Sequence, residues 1–221
     1  MTSRAARSRG MPRRSQPSTA RRSFIPFAIA GFVAVVILAA VVALLSSAPP
    51  SGLAEPAPRV LAVSGEPLPA LPASGTDPAV GRLVPSIGGM DLDGGRLQIG
   101  PHAGAQAIVV LAHWCPHCQA EVPVLTEWLA SNQPPAGVRV VAVSTAIDPA
   151  RPNYPPSAWL ERERWVQPTL VDDADSSALD ALGVTNFPAF VFVNADGTVA
   201  SRTTGEIGAD AFAAALEAIA P

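Results

Sequence analysis

The chain has 221 residues and two cysteines, and both fall in Trp114-Cys115-Pro116-His117-Cys118. Two sulfurs three residues apart on a helix occupy nearly one face and lie within disulfide reach. A cysteine at a helix N-terminus also meets unpaired backbone N–H groups and the positive end of the helix dipole, so Cys115 is placed to react as a thiolate. His117 sits in the first turn, where a positive imidazole would add to that effect. Such a thiolate attacks a disulfide of a partner protein, and Cys118 then resolves the mixed disulfide. Three other uses of the segment are weaker. A purely structural disulfide would close so short a loop that it removes little chain entropy. A metal site of Cys115, Cys118, His113 and His117 would need alternating residues of one short segment to converge, with no second cysteine pair to help. Covalent haem needs a histidine directly after the second cysteine, and Gln119 stands there. The expected cofactor is therefore none beyond a redox-active Cys115–Cys118 disulfide, with no metal.

The motif needs a strand to deliver it and a helix to receive it, and the flanking pattern supplies both. Ala107 to Ala112 is an unbroken apolar run of the kind found in a central strand covered on both faces. A helix is expected from about Cys115 to Ser131, with Val122, Leu125, Trp128 and Leu129 on one side and a bend at Pro123. Downstream the pattern predicts a strand at 138–143, helices at 157–165 and 176–182, and a short extended piece at 169–171. A hairpin follows with arms 189–193 and 199–203, then a closing helix at 210–219. Upstream, Leu92-Asp93-Gly94-Gly95-Arg96-Leu97 reads as a hairpin turn. Alternating strands and helices that end in a hairpin and a helix imply an α/β fold with a mixed central sheet flanked by helices.

The segments Leu111 to Cys118, Glu121-Val122-Pro123-Val124-Leu125 and Gly183-Val184-Thr185-Asn186-Phe187-Pro188 together resemble the thioredoxin superfamily. The likeness is greatest to the membrane-anchored TlpA/ResA-type thiol-disulfide oxidoreductases, and it covers roughly residues 81 to 221. Two motifs about 70 residues apart are far more specific than a lone Cys-x-x-Cys. The resemblance implies a thioredoxin-like fold, Cys115 as attacking thiol and Cys118 as resolving thiol. It also implies a cis bond before Pro188, which would turn the Phe187 backbone toward the site so that a substrate segment can pair with it. Trp114 is then both core and rim of that substrate groove. The family's buried acid, six positions before the first cysteine, is replaced by Val109. Glu121, one turn past Cys118, matches a Glu of the TlpA-like pattern and is the candidate proton acceptor in its place. The competing reading of Glu121 is an exposed acid near a helix N-terminus. No role is assigned to His102 or His113, and Trp128, Trp159 and Trp165 are expected in the core.

Ahead of this domain the composition changes. All 15 basic residues are Arg, and seven of them precede the first acid, Glu55. The remainder carries eight Arg against eighteen acids, a net charge of −10. An acidic body argues against nucleic-acid binding, which needs a positive face. Residues 24–45 hold no charge and are nearly all aliphatic or Phe. As a helix they would span ~33 Å, enough for the ~30 Å hydrocarbon core. The expected organisation is an Arg-rich cytoplasmic segment at 1–23, a transmembrane helix or uncleaved signal anchor at 24–45, a Pro-rich linker at 46–80 and the thioredoxin-like domain at 81–221. Residues 46–80 contain eight prolines and no period that could bury an apolar face. Basic residues on the N-terminal side place the domain outside the cell membrane. A cleaved export signal remains the alternative, since Arg21-Arg22 resembles a twin-arginine signal and Gly52-Leu53-Ala54 a cleavage site.

Three function classes follow. The first is an extracytoplasmic oxidoreductase acting on protein thiols and disulfides, served by a membrane electron donor or acceptor that the sequence does not name. The second is a thiol peroxidase, disfavoured because those enzymes use Thr/Ser-x-x-Cys. The third is a copper or haem chaperone using the same thiols. Direction divides the first class. The TlpA/ResA-like framework suggests reduction, as in cytochrome c maturation, whereas Pro116-His117 resembles the dipeptide of DsbA-type oxidases. The stretch from Thr145 to Pro168 is too short for the inserted helical domain of those oxidases. Stabilising the Cys115 thiolate stabilises the reduced form, so the expected leaning is toward oxidation.

Overall fold

A computed structural model of the chain describes residues 61–221. Eight strands and four helices follow one another there: β1 Ala62–Ser64, β2 Ser86–Met90, β3 Arg96–Ile99, β4 Ala105–Leu111, α1 Pro116–Ser131, β5 Val138–Ser144, α2 Pro156–Arg162, β6 Thr169–Val171, α3 Ser177–Leu182, β7 Ala189–Val193, β8 Val199–Thr204 and α4 Gly208–Ala218. Five strands form the central sheet in the order β6-β5-β4-β7-β8, and β1, β2 and β3 form a small antiparallel sheet. The central sheet is mixed, as the sequence pattern implies. β4 runs parallel to β5, with Ala105 opposite Val138 and Leu111 opposite Ser144. β7 runs antiparallel to β4, with Val110 opposite Ala189.

All seven residues of β4 are buried, because the sheet is covered on both faces. Ile108 and Val110 point to one face with Val141, Val143, Val191, Ile87, Ile99 and the α3 residues Ala178 and Leu182. Ala107, Val109 and Leu111 point to the other, with Phe190 and Phe192, the α1 residues Val122 and Leu125, Trp159 of α2, and Phe212 and Leu216 of α4. The alternation follows from the period-2 geometry of a strand. The α1 seam is closed by Trp128 meeting Phe212 edge-on at 5.7 Å. Trp159 and Trp165 are buried as expected.

The domain starts earlier than the composition implies. Residues 61–80 are not linker: β1 pairs with β2 through Ala62 opposite Gly88, and Leu61, Leu68 and Ala79 are buried. The segment has no hydrophobic period because backbone and ionic contacts hold it instead. The N–H groups of Leu68 and Leu71 donate to the carbonyls of Ala181 and Gly183. Arg202 of β8 donates to both carboxylate oxygens of Asp77 at 2.9 and 2.6 Å. The same guanidinium donates to Leu182 O at 2.7 Å and Pro69 O at 2.9 Å, so every face of it is engaged. Gly183 permits this approach. Its backbone is left-handed (φ 65), and a Cβ there would lie 2.5 Å from the Leu68 and Pro69 carbonyls. The expected 24–45 span and the rest of 46–60 lie outside the described residues. No helix among the described residues is long and apolar enough to cross a membrane.

The hydrogen bond from Arg202 holds the Asp77 carboxyl below the usual carboxylate range, against a smaller upward push from burial. A lowered folded value stabilises the fold above the unfolded value of ~3.9, and that contribution is lost as pH falls through the folded value. The wild type is therefore expected to lose stability more steeply than Asp77→Asn below pH ~4, read from urea midpoints at successive pH values. Arg202→Met at neutral pH should cost about 3 kcal/mol, since it strands a largely buried carboxylate.

Candidate active site

The strand-to-helix turn at the C-terminal end of β4 carries the cysteines. Cys115 is the N-cap of α1 in an extended conformation, and Pro116 occupies the first helical position. Proline suits that position because its fixed φ matches the helix and its missing N–H would have had no partner. The helix continues through Pro123 to Ser131. Both cysteines are free thiols. Cys115 keeps 6% of its surface exposed and Cys118 none, so only the outer thiol reaches solvent. The Phe187–Pro188 peptide is cis, and the Cys115 thiol donates to the Phe187 carbonyl at 3.5 Å. Sheet register explains the meeting of residues 72 apart. β7 starts at Ala189 opposite Val110, so the residues just before β7 must lie beside the residues just after β4.

Trp114 is half-buried at the rim. Its ring meets Phe187 edge-on at 5.9 Å, its indole N–H donates to Ala146 O at 2.8 Å, and the Arg151 guanidinium lies 4.2 Å over its ring. His113 is fully buried and has a defined place. The Asp148 N–H donates to its Nε2 at 3.2 Å, which leaves Nδ1 to donate to Pro152 O at 2.7 Å. The Asn153 amide donates back to the His113 carbonyl at 3.3 Å. His113 thus ties the 146–153 loop to the motif. With both ring nitrogens engaged, it does not converge with His117 and the two sulfurs.

Glu121 departs from one of its two expected readings. It is 2% exposed, not a solvated helix-end acid, and its Oε1 accepts the N–H groups of Ile207 and Gly208 at 3.1 and 2.9 Å. It therefore joins α1 to the start of α4. Its charge also reaches Cys118. Burial, first of all, pushes the Cys118 thiol far above its ordinary value; the neighbouring Cys115 and Glu121 add to the shift, and a hydrogen bond involving the Ala112 backbone partly opposes it. Val109 is fully buried, so the family's usual acid position is apolar here. His117 is exposed, and its Nδ1–H donates to Glu206 Oε1 at 2.7 Å.

Glu206, Arg151 and the loop it belongs to were not legible as site residues. Glu206 could have been found: the β7–β8 hairpin returns the chain to the end where it began, with Ala189 opposite Thr204, so the residues after β8 share that end with Pro188. Arg151 carries no comparable signal, because its position depends on the irregular loop held by His113.

A family model for the thioredoxin-like domain matches residues 99–220, and the chain belongs to that family. Among solved structures, the chain is similar to the thioredoxin domain of a thiol-disulfide oxidoreductase from Bacteroides vulgatus, at 19% identity and a TM-score of 0.52 over 65% of this chain and 99% of that one. It is also similar to StoA from Bacillus subtilis, at 16% identity and a TM-score of 0.52 over 62% and 98%. A third similar structure is a thiol:disulfide interchange protein from Bacteroides sp., at 20% identity and a TM-score of 0.50 over 63% and 89%. These likenesses are of fold. No curated protein matches the chain.

The unequal burial of the thiols has a direct readout. At neutral pH a limiting amount of iodoacetamide should label Cys115 in the reduced protein and spare Cys118, which stays a protonated, buried thiol. Labelling of Cys118 should rise only in strongly alkaline solution, where a thiol with a raised value begins to ionise. Peptide mass mapping across a pH series measures both.

Proposed function

We propose that this protein is a thiol-disulfide oxidoreductase that exchanges disulfides with protein thiols through Cys115 and Cys118. The observation that carries this reading is the Cys115 thiol at the N-terminus of α1, 3.5 Å from the Phe187 carbonyl, with a buried second thiol one turn inside. As an oxidase it starts with the Cys115–Cys118 disulfide. A partner thiolate attacks the Cys115 sulfur, and Cys118 leaves and takes up a proton. The partner's second thiol, losing its proton, attacks its own sulfur in the mixed disulfide and releases Cys115 as a thiolate. Two electrons pass from the partner dithiol to the protein, and a membrane electron acceptor must remove them to restart the cycle. Run backward, the same steps reduce a partner disulfide.

Each further residue has a part in these steps. Raising the Cys118 thiol favours its uptake of a proton when it leaves, and Glu121 is the nearby carboxylate that can exchange that proton in the reverse direction. Trp114 and Phe187, both half-buried, with the buried Pro188 beside them, form the rim on which a partner's cysteine segment would lie and pair strand-fashion with the Phe187 backbone. The position of Cys115 at the N-terminus of α1 is one that favours a thiolate and therefore the reduced protein, which supports the oxidising direction. The charge-free 24–45 stretch with its Arg-rich flank supports a single-pass anchor that holds the domain outside the cell membrane.

Cys115→Ser should abolish exchange, whereas Cys118→Ala should accumulate covalent partner complexes because the resolving thiol is missing. Non-reducing gels and mass identification of the trapped proteins read this, and equal trapping by the two variants would overturn the roles. In the same preparation, equilibration with glutathione should give a potential above about −270 mV, the thioredoxin value; a value at or below it would reverse the direction to reduction.

The placement has its own test. Protease added to spheroplasts should digest the thioredoxin-like domain and leave the Arg-rich end intact. A mature N-terminus near residue 55 would mark a cleaved, soluble form instead.

A further inference from the structure

Glu206 touches the motif, yet the exchange steps do not use it. Its carboxylate accepts the His117 Nδ1–H at 2.7 Å across 89 residues of sequence. The backbone on both sides of it is fixed by residues of the site. The Gly205 N–H donates to the Pro188 carbonyl at 2.8 Å, and the Ile207 and Gly208 N–H groups donate to the buried Glu121 carboxylate. The loop that carries Glu206 is therefore pinned at one end by the residue before β7 and at the other by the acid one turn past Cys118.

We infer that Glu206 is a positioning residue that sets the redox potential of the Cys115–Cys118 pair by holding the His117 imidazole in an ion pair. The inference rests on the redox reading of the site and deepens it. A lone positive imidazole in the first turn of α1 would stabilise the Cys115 thiolate and, with it, the reduced protein. The Glu206 carboxylate 2.7 Å away binds the ring's Nδ1–H, so that donor and any charge on the ring are turned toward Glu206 rather than toward the thiolate. It also fixes the ring on the α4 side of the motif. Other charged groups that the structure places near the motif are Glu121, buried beneath it, Arg151, held over Trp114, and Asp148, whose N–H binds His113. The dipeptide Pro116-His117 alone thus overstates how oxidising the disulfide is. With side chains 69% and 46% exposed, the pair contributes little to folding, so its effect is to be read in the chemistry.

Glu206→Gln removes the negative charge while leaving a hydrogen-bond acceptor of the same size. In the full chain equilibrated with glutathione at pH 7, it should favour the reduced form by about threefold, ~14 mV toward a more oxidising potential at 29.6 mV per tenfold. The ultraviolet absorbance of the thiolate should also develop at lower pH than in the wild type. His117→Ala should shift the potential the other way, and in that background Glu206→Gln should change it little, because the coupling runs through the imidazole. An unchanged potential in Glu206→Gln would overturn the inference, as would an equal shift with and without His117. A lowered melting temperature with an unmoved potential would make Glu206 a structural residue only. If the wild type shows no reversible equilibrium with glutathione at all, the redox reading itself falls and takes this inference with it; that outcome is visible before any variant is compared.

Discussion

The whole site hangs on one strand. β4 is buried on both faces and hydrogen-bonded on both edges, parallel to β5 and antiparallel to β7. Such a strand has no freedom to shift register, because a slip of one residue would exchange the two sets of core side chains. Its C-terminal end is therefore a fixed point. Everything reactive is placed relative to it: the cysteines because α1 begins five residues beyond Leu111, and the Phe187 carbonyl because an antiparallel neighbour must start where β4 ends. A single hydrophobic constraint thus converts a sequence separation of 72 residues into a contact of 3.5 Å.

Around that fixed point the polar groups are few and nearly all spoken for. His113, Glu121, Asp172 and Arg202 are buried, and each is bound to backbone groups of a loop or of a helix end. His113 holds the 146–153 loop, Glu121 the entry to α4, and Arg202 the 69–77 segment. Asp172 accepts the N–H groups of Asp173, Ala178 and Leu179 and so fixes the approach to α3; burial pushes its carboxyl up, and those hydrogen bonds pull against it. Unsatisfied, any of these groups would cost the desolvation of a buried charge or dipole. Satisfied by backbone groups, each fixes the connection it binds; those held by His113 and Glu121 border the cysteine motif.

This division explains what could be read from the sequence. The strands and helices were legible because periodicity reports burial: the apolar run at 107–112 falls within β4, and the 169–171 piece is β6. The place of the cysteine pair at a strand-to-helix turn was legible from the flanking pattern, and the cis Phe187–Pro188 bond because a second motif marks it. The 61–80 segment was not legible. Eight prolines across 46–80 look like linker, and the contacts that hold 61–80 are made by scattered apolar residues without a period, Leu61, Leu68 and Ala79, by a single arginine more than 120 residues away and by backbone groups that every residue possesses. The burial of Glu121 was hidden for a related reason. An acid one turn from a helix start is ordinarily solvated, and only the arrival of α4's unpaired N–H groups makes a buried carboxylate stable there.

The same geometry gives the two thiols different surroundings within one helical turn. Cys115 is the N-cap of the helix and keeps part of its surface exposed. Cys118 lies inside, where burial and the Glu121 carboxylate both disfavour its ionised form. A disulfide between them is therefore asymmetric. In the exchange proposed above, attack on the outer sulfur expels the inner one, which most strongly binds a proton once free, and leaves the outer sulfur bonded to the partner. The order of events in that proposal rests on the difference of burial between two residues, and that difference follows from where a doubly covered strand must end.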